Sequence, residues 1–444
     1  MPDPEDTPAA PVGTEPYRED DQPFQWRATF LVMIIGIALI AIAFTAGFMA
    51  LYVYLSKVIW FENEFVLSHR WTIPVLVLFF SLLVGLSQKY LHAPTVIRGG
   101  FVENMRDQQL VTDYRVFPGA FVSSIITLIS GASVGPEGTL NILVPQISAW
   151  IRDRFRIFQE SSSRQLGFDM AALSSAYNGI VGNPLFTGVL ATEYEIGRKS
   201  ASTFVLWNLL AGVVGYLFYI YIGFPSFASL ILFPPVETLS PVMVLYAILL
   251  GGVGALIALF SGLSMKVIGR VMDTAFGDRV VQRTLAAGVI FAVVGFFLPA
   301  LLFSGETQIF AILENPAGVG VAMLLLYAIL KIPLLALSYK SGFIGGPIFP
   351  VLFSCTMLGL ALSLVFPSVP VALFVMCIEA AAFALALGVP ITAILLIIVM
   401  SNPSAELTVL IILSAVTGLI LGALVKQMGA RRTPNQAAPV AKPA

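Results

Sequence analysis

Charge is the first thing this sequence lacks. Only 11% of its 444 residues are charged, 24 Lys and Arg against 25 Asp and Glu, for a net charge of −1. A soluble chain of this length carries roughly a quarter charged residues, so a surface covered by water is excluded. No basic excess marks a nucleic-acid partner. Histidine and cysteine are scarcer still, with two of each. That leaves no ligand cluster for a metal and no disulfide framework. Cys355 and Cys377 each sit inside an apolar run and read as helix packing. No cofactor fingerprint is present.

Apolar sequence is abundant. Hydrophobic residues make up 58% of the chain, and the mean hydropathy is +0.91. Apolar stretches recur at 28–57, 72–86, 116–134, 202–223, 239–265, 284–303, 317–339, 343–366, 369–400 and 406–425. A membrane span needs about 20 such residues, so roughly ten or more helices fit. The chain reads as a polytopic, multi-pass membrane protein in contact with lipid. Residues 1–27 form an acidic, proline-bearing segment expected to be a disordered cytosolic tail. It lacks the basic start and short apolar core of a signal peptide. Residues 426–444 are expected to be a short, basic, disordered tail, and no soluble domain is expected at either end.

Several apolar segments are interrupted by Gly and Pro, as in "GASVGPEGT", "VGNPLFTG", "SGFIGGPIFP" and "LGVPITA". Irregular backbone at membrane depth survives only where it is buried in protein or lines a polar cavity. "SGASVGP" at 130–136 parallels "SGFIGGP" at 341–347. Each is followed about fifty residues later by a proline-led apolar helix. This pattern predicts two structurally similar halves, 28–225 and 226–425. Paired interrupted helices in such halves point to a transport site between them.

The first break holds a carboxylate. Pro136 suits the first turn of a helix, and the flanking Gly135 and Gly138 leave backbone amides uncovered. A helix starting there aims its positive end into the bundle, and "GGPIFP" can supply a second end from the other half. Two converging helix N-termini make an anion site without a fixed positive side chain, able to hold a permeating anion and release it. A charge at mid-membrane costs about 2.5–3.5 kcal/mol or more and usually marks function. Glu137 is therefore read as a gate. Its carboxylate occupies the anion's place until a proton or an anion displaces it. The plainer reading is a carboxylate that caps its own helix.

These residues resemble the CLC family of chloride channels and proton-coupled chloride transporters. Where the family's first motif reads Gly-Arg/Lys-Glu-Gly-Pro, this sequence has Gly135-Pro136-Glu137-Gly138-Thr139, with "YRVFPGAF" at 114–121 upstream at matching spacing. The second motif, Gly-x-Phe-x-Pro after a Gly pair, is matched by Gly345-Gly346-Pro347-Ile348-Phe349-Pro350. Lys331 sits where the family carries a basic residue, and "YNGIVGNPLFTGVLATEYE" and "LGVPITAILLIIVMSN" resemble the helices after each motif. The similarity covers about residues 28–425. It implies an all-α fold of two inverted-repeat halves with broken and tilted helices. It also implies a homodimer with a pathway in each subunit, and no enzymatic activity. The implied partners are chloride or a similar small anion, and protons.

Carried over residue by residue, the anion-binding positions are Gly135, Pro136, Gly138, Gly346, Ile348 and Phe349, and Glu137 gates and carries protons. Pro347 has no N–H, so Ile348 and Phe349 are the better donors. The family's Gly-Ser-Gly-Ile-Pro is absent. "HAPTVIRGG" at 92–100 stands in that region, with Thr95 in place of the coordinating serine. No tyrosine follows Tyr339, so the family's C-terminal tyrosine is missing. Glu195, seven residues after Gly188, matches the internal proton-transfer glutamate. Arg198 and Lys199, three and four residues on, offer it a surface ion pair instead. Only one of Glu193 and Glu195 can face the interior easily, because residues two apart on a helix point roughly 200° apart.

Glu379 is expected to face Lys331 as a structural pair. "RDRFR" at 152–156 and the basic residues near 277–284 read as loop charges. The expected function is a proton-coupled anion antiporter, with a passive channel or a transporter of another anion such as fluoride as alternatives. The expected location is a bacterial inner membrane. A reading from another class starts at "GASVG", which matches the Gly-x-Ser-x-Gly of serine hydrolases with Ser133 as nucleophile. It needs a base, and His69 and His92 both lie near segment ends.

Overall fold

The computed structural model describes residues 28–94, 113–159, 162–193, 201–227, 231–236 and 238–432. The described residues are overwhelmingly helical. The first half contains α1 (Ala28–Ser56), α2 (Glu64–Ser68), α3 (Thr72–Tyr90), α4 (Phe117–Ile129), α5 (Glu137–Arg154), α6 (Ser162–Val181), α7 (Phe186–Glu193) and α8 (Ala201–Ile222). The second contains α9 (Pro241–Phe276), α10 (Val280–Phe297), α11 (Glu306–Glu314), α12 (Pro316–Val319), α13 (Val321–Ser341), α14 (Ile348–Val365), α15 (Val371–Leu387), α16 (Pro390–Ser401) and α17 (Ala405–Arg432).

Among the described residues, eight helices are long and apolar enough to cross a membrane. Their outer faces carry large exposed apolar side chains, such as Leu256, Leu263 and Val271 along α9. In water, so much exposed apolar surface would drive association; against lipid tails it is matched. The protein is an integral, multi-pass membrane protein.

The packing repeats. Helix α6 lies on α8 as α15 lies on α17. Helix α1 touches α6 and α8 as α9 touches α15 and α17. Helix α4 meets α5 as α13 meets α14. Two contacts join equivalent helices across the halves, α3 with α10 and α7 with α16. Where these helices cross, small residues let backbones approach closely, as Gly254 does against the main chain of α15 at Ile378 and Ala382. Serine hydroxyls tie neighbours together: Ser175 donates to the Ala38 carbonyl (2.7 Å) and Ser414 to the Cys377 carbonyl (2.8 Å).

The break expected at "LGVPITA" divides the apolar run 369–400 into two helices, because Gly388 takes a left-handed conformation (φ 71°) that ends α15 before Pro390 opens α16. Two sequence expectations are corrected here. Residues 426–432, expected in a disordered tail, continue α17. One arginine from each basic cluster is an anchor rather than a free loop charge. Arg152 lies inside α5 and pairs with Asp169 of α6, while Arg283 donates to Asp273 Oδ1 (2.8 Å) and to the carbonyls of Gly277 (3.0 Å) and Lys340 (2.6 Å). Residues 1–27 lie outside the described residues.

Candidate functional site

Both Gly-Pro breaks end at the start of a helix, α5 at Glu137 and α14 at Ile348. The two starts abut. Gly135 N donates to the Gly346 carbonyl (2.8 Å), and Gly346 N returns a bond to the Gly135 carbonyl (2.7 Å). This antiparallel bridge joins equivalent residues of the two repeats, as a local two-fold axis between them requires. The incoming loops are held from both sides. Ser133 N donates to Ser338 Oγ (3.0 Å), and Thr139 Oγ1 donates to the Pro136 carbonyl (2.6 Å).

Glu137 is 2% exposed. Its Oε1 accepts a 2.7 Å hydrogen bond from the backbone N–H of Ile348, while Oε2 has no partner. Tyr177 Oη donates to its main-chain carbonyl (2.6 Å) and fixes the residue from α6. The carboxylate thus leaves its own helix and sits at the N-terminus of the other half's helix, where free amides and the helix dipole favour negative charge. Room for it exists because its neighbours lack side chains. A Cβ on Gly135 would fall on Glu137 Oε2, and one on Gly346 would fall on its Cδ.

Several sequence-derived assignments move. Ile348 is a donor at the site, but the amides of Gly135 and Gly346 are spent on each other and are not free for an anion. Pro136 has no N–H to offer. These residues position the helix ends instead. Gly138 packs directly on the main chain of Gly345. Phe349 follows Ile348 in the first turn of α14 and is fully buried. Thr95 and Glu195 lie outside the described residues.

Glu193 has a different task. Both its oxygens are engaged at the start of α16, accepting from Ile391 N (2.7 Å), Thr392 N (2.7 Å) and Thr392 Oγ1 (2.6 Å). Lys331 and Glu379 are not paired. Lys331, fully buried, donates to the carbonyls of Leu301 (3.1 Å), Leu302 (3.4 Å) and Phe303 (2.7 Å) and lies 4.9 Å from the centre of the Phe353 ring. Glu379 accepts from Thr356 Oγ1 (2.8 Å) through one oxygen only. Three main-chain carbonyls accept from the ammonium, and no local pattern announces this cage. Ser133 Oγ has no partner and both histidines are exposed, so the hydrolase reading lacks its base. Cys355 and Cys377 are free and buried, as expected of packing residues.

Two cavities flank the helix ends. One of about 390 Å³ is lined by Tyr52, Ser304 and Glu306 among others. The other, of about 870 Å³, reaches Pro347 and Tyr339 and carries Lys266, Lys340 and Lys426. No local pattern marks this second cavity, because its lysines come from three distant helices.

A sequence profile described as voltage gated chloride channel matches residues 89–423. The chain belongs to this family. Among curated relatives, "Putative ion-transport protein YfeO" of Escherichia coli (strain SMS-3-5 / SECEC) is 27% identical over 274 residues, 59% of this chain and 61% of the relative. The protein of the same name from Shigella boydii serotype 4 is also 27% identical, over 276 residues. The chain therefore spans about 61% of the length of the curated relatives it matches. Among solved structures, a slow cyanobacterial Cl−/H+ antiporter superposes with a TM-score of 0.76 at 19% identity, covering 92% of this chain and 100% of that one. A CLC-type fluoride/proton antiporter superposes at 0.66 with 17% identity, covering 89% and 95%. Both likenesses are of fold.

Proposed function

We propose that the protein exchanges a small anion, chloride in the first instance, for protons across the membrane, with Glu137 as the gate. The observation that carries this reading is the Glu137 carboxylate on the Ile348 amide, at the meeting point of two helix N-termini. A hydrogen bond from an amide to a charged acceptor contributes about 1.5–3 kcal/mol, enough to hold the carboxylate and little enough for an anion to compete. An entering anion displaces the carboxylate from the Ile348 amide. A proton on the displaced carboxylate neutralises it and removes its attraction to the site. Anion and proton thus act on one group, which is the root of coupling.

Glu195 is the proposed internal proton carrier. Residues 28–225 and 226–425 are the proposed half-repeats, and two copies of the chain form the proposed dimer in a bacterial inner membrane. Fluoride is the second substrate reading, supported by the superposition on a fluoride/proton antiporter. The test is a liposome carrying an imposed anion gradient, read with anion and pH electrodes. Coupled proton movement against the anion is expected. Anion flux without protons would make the protein a channel, and no flux of chloride or fluoride would overturn the transport reading.

A further inference from the structure

The 390 Å³ cavity at the C-terminal end of α1 holds a carboxylate that an anion pathway does not explain. Tyr52 and Ser56 line it from α1, and Ser304 and Glu306 line it from the start of α11. Ser56 is buried and its hydroxyl has no partner, while the Tyr52 hydroxyl interacts with the Glu306 carboxylate. Lys57 and Glu62, also in the wall, pair with each other at 3.9 Å and are more than half exposed. Glu306 itself has no ion pair among the described residues. It is half-buried, so it keeps contact with the solvent.

This cavity is built onto the gate. Phe303 N donates to the carbonyl of Gly131 (3.1 Å), in the loop that leads to Glu137. Lys331 holds the same stretch through the carbonyls of 301–303, and a Cβ on Gly305 would crowd the Phe353 side chain of α14 (2.8 Å). Glu306 and Tyr52 both interact electrostatically with Glu137, whose Oε2 has no partner. A second carboxylate beside an anion's route repels the anion. Its place next to the gate therefore calls for another task.

We propose that Glu306 is a proton relay between Glu137 and the solvent on the side of the membrane where α1 ends. The inference rests on the proton-coupled exchange reading. The cavity has room for several waters. The Glu306 carboxylate takes a proton from one of them and passes it, through water, to Oε2 of Glu137. Glu306 is left ionised and ready for the next proton, and the reverse sequence discharges the gate. Only O–H bonds form and break, and the proton taken up at the mouth is the one delivered.

The test uses the full chain in liposomes, with chloride and pH recorded together. Glu306→Gln is expected to slow chloride and proton movement together, about fivefold or more, with the number of protons moved per chloride unchanged. Imidazole, a mobile proton carrier small enough for the cavity, should restore the rate of Glu306→Gln as its concentration rises and leave the parent little changed. In the Glu137→Gln background the gate takes up no proton, so the same substitution should slow chloride less than about twofold. An unchanged rate in Glu306→Gln, or a loss that imidazole does not repair, would overturn the relay. So would a loss that persists undiminished in the Glu137→Gln background, which would make Glu306 a structural or anion-path residue. A parent protein that moves chloride without protons would instead overturn the exchange reading beneath it.

Discussion

Glu137 Oε1 and the amide of Ile348 are 2.7 Å apart, joined across 211 residues of sequence. The two residues hold equivalent places, each directly after the Gly-Pro that opens its helix. One repeat therefore supplies a carboxylate and the other the bare helix end that receives it. The proposed gate rests on this asymmetry within the symmetry.

Glu137→Gln should leave anion flux intact and nearly independent of pH. The amide carries no charge, so it competes weakly for the Ile348 N–H and stays out of the anion's way. Proton movement coupled to the anion should vanish in the same variant. Parallel chloride and pH recordings check this, and full proton coupling in Glu137→Gln would leave the carboxylate a mere cap.

Gly346→Ala should expel the carboxylate, because the new Cβ falls on Glu137 Cδ. The crowding is expected to cost about 1–3 kcal/mol of stability and to flatten the pH dependence of flux. Since the clash is with that side chain, Glu137→Gly should restore most of the lost stability in the double variant. Thermal unfolding in detergent reads the recovery. Equal losses with and without the glutamate side chain would place the strain in the backbone instead.

The breaks at 135–137 and 346–348 were legible because Gly and Pro act locally, and a carboxylate in apolar sequence is conspicuous. Other features depend on partners that hydropathy does not see. Helix α6 was hidden by Arg164, Gln165 and Asp169, yet Asp169 is satisfied in the interior by Ser148 Oγ (2.5 Å) and by Arg152. Lys331 and Glu379 looked like a pair because both are charged and deeply placed. Each found closer neutral partners, the carbonyls of 301–303 and the Thr356 hydroxyl. Nor does any local pattern show that the Glu193 carboxylate goes to the start of α16.

Glu193→Gln should keep proton coupling and lose stability. Its carboxylate closes the first turn of α16 with three hydrogen bonds, and an amide can accept at only one of the two oxygen positions. Losing a cap of this kind costs about 0.5–2 kcal/mol. Glu195→Gln should show the reverse, with proton coupling lost and anion flux still pH-sensitive through Glu137. A Glu193→Gln protein that uncouples protons would move the relay to this cap.

Lys331 and Glu379 should prove energetically independent. Replacing Lys331 with Met leaves the carbonyls of Leu301, Leu302 and Phe303 without their shared donor, at an expected cost of about 2–3 kcal/mol or more. Replacing Glu379 with Gln keeps an acceptor for Thr356 and removes a buried charge that has one partner, so stability should hold or rise. Residues that share no partner add to within about 0.5 kcal/mol when changed together. The double variant Lys331→Met with Glu379→Gln should therefore lose what the lysine change alone loses, corrected by the small glutamate term. Unfolding of the four proteins under one condition gives the cycle. A coupling energy of several kcal/mol would mean that the two charges meet in the folded protein, contrary to the partners seen here.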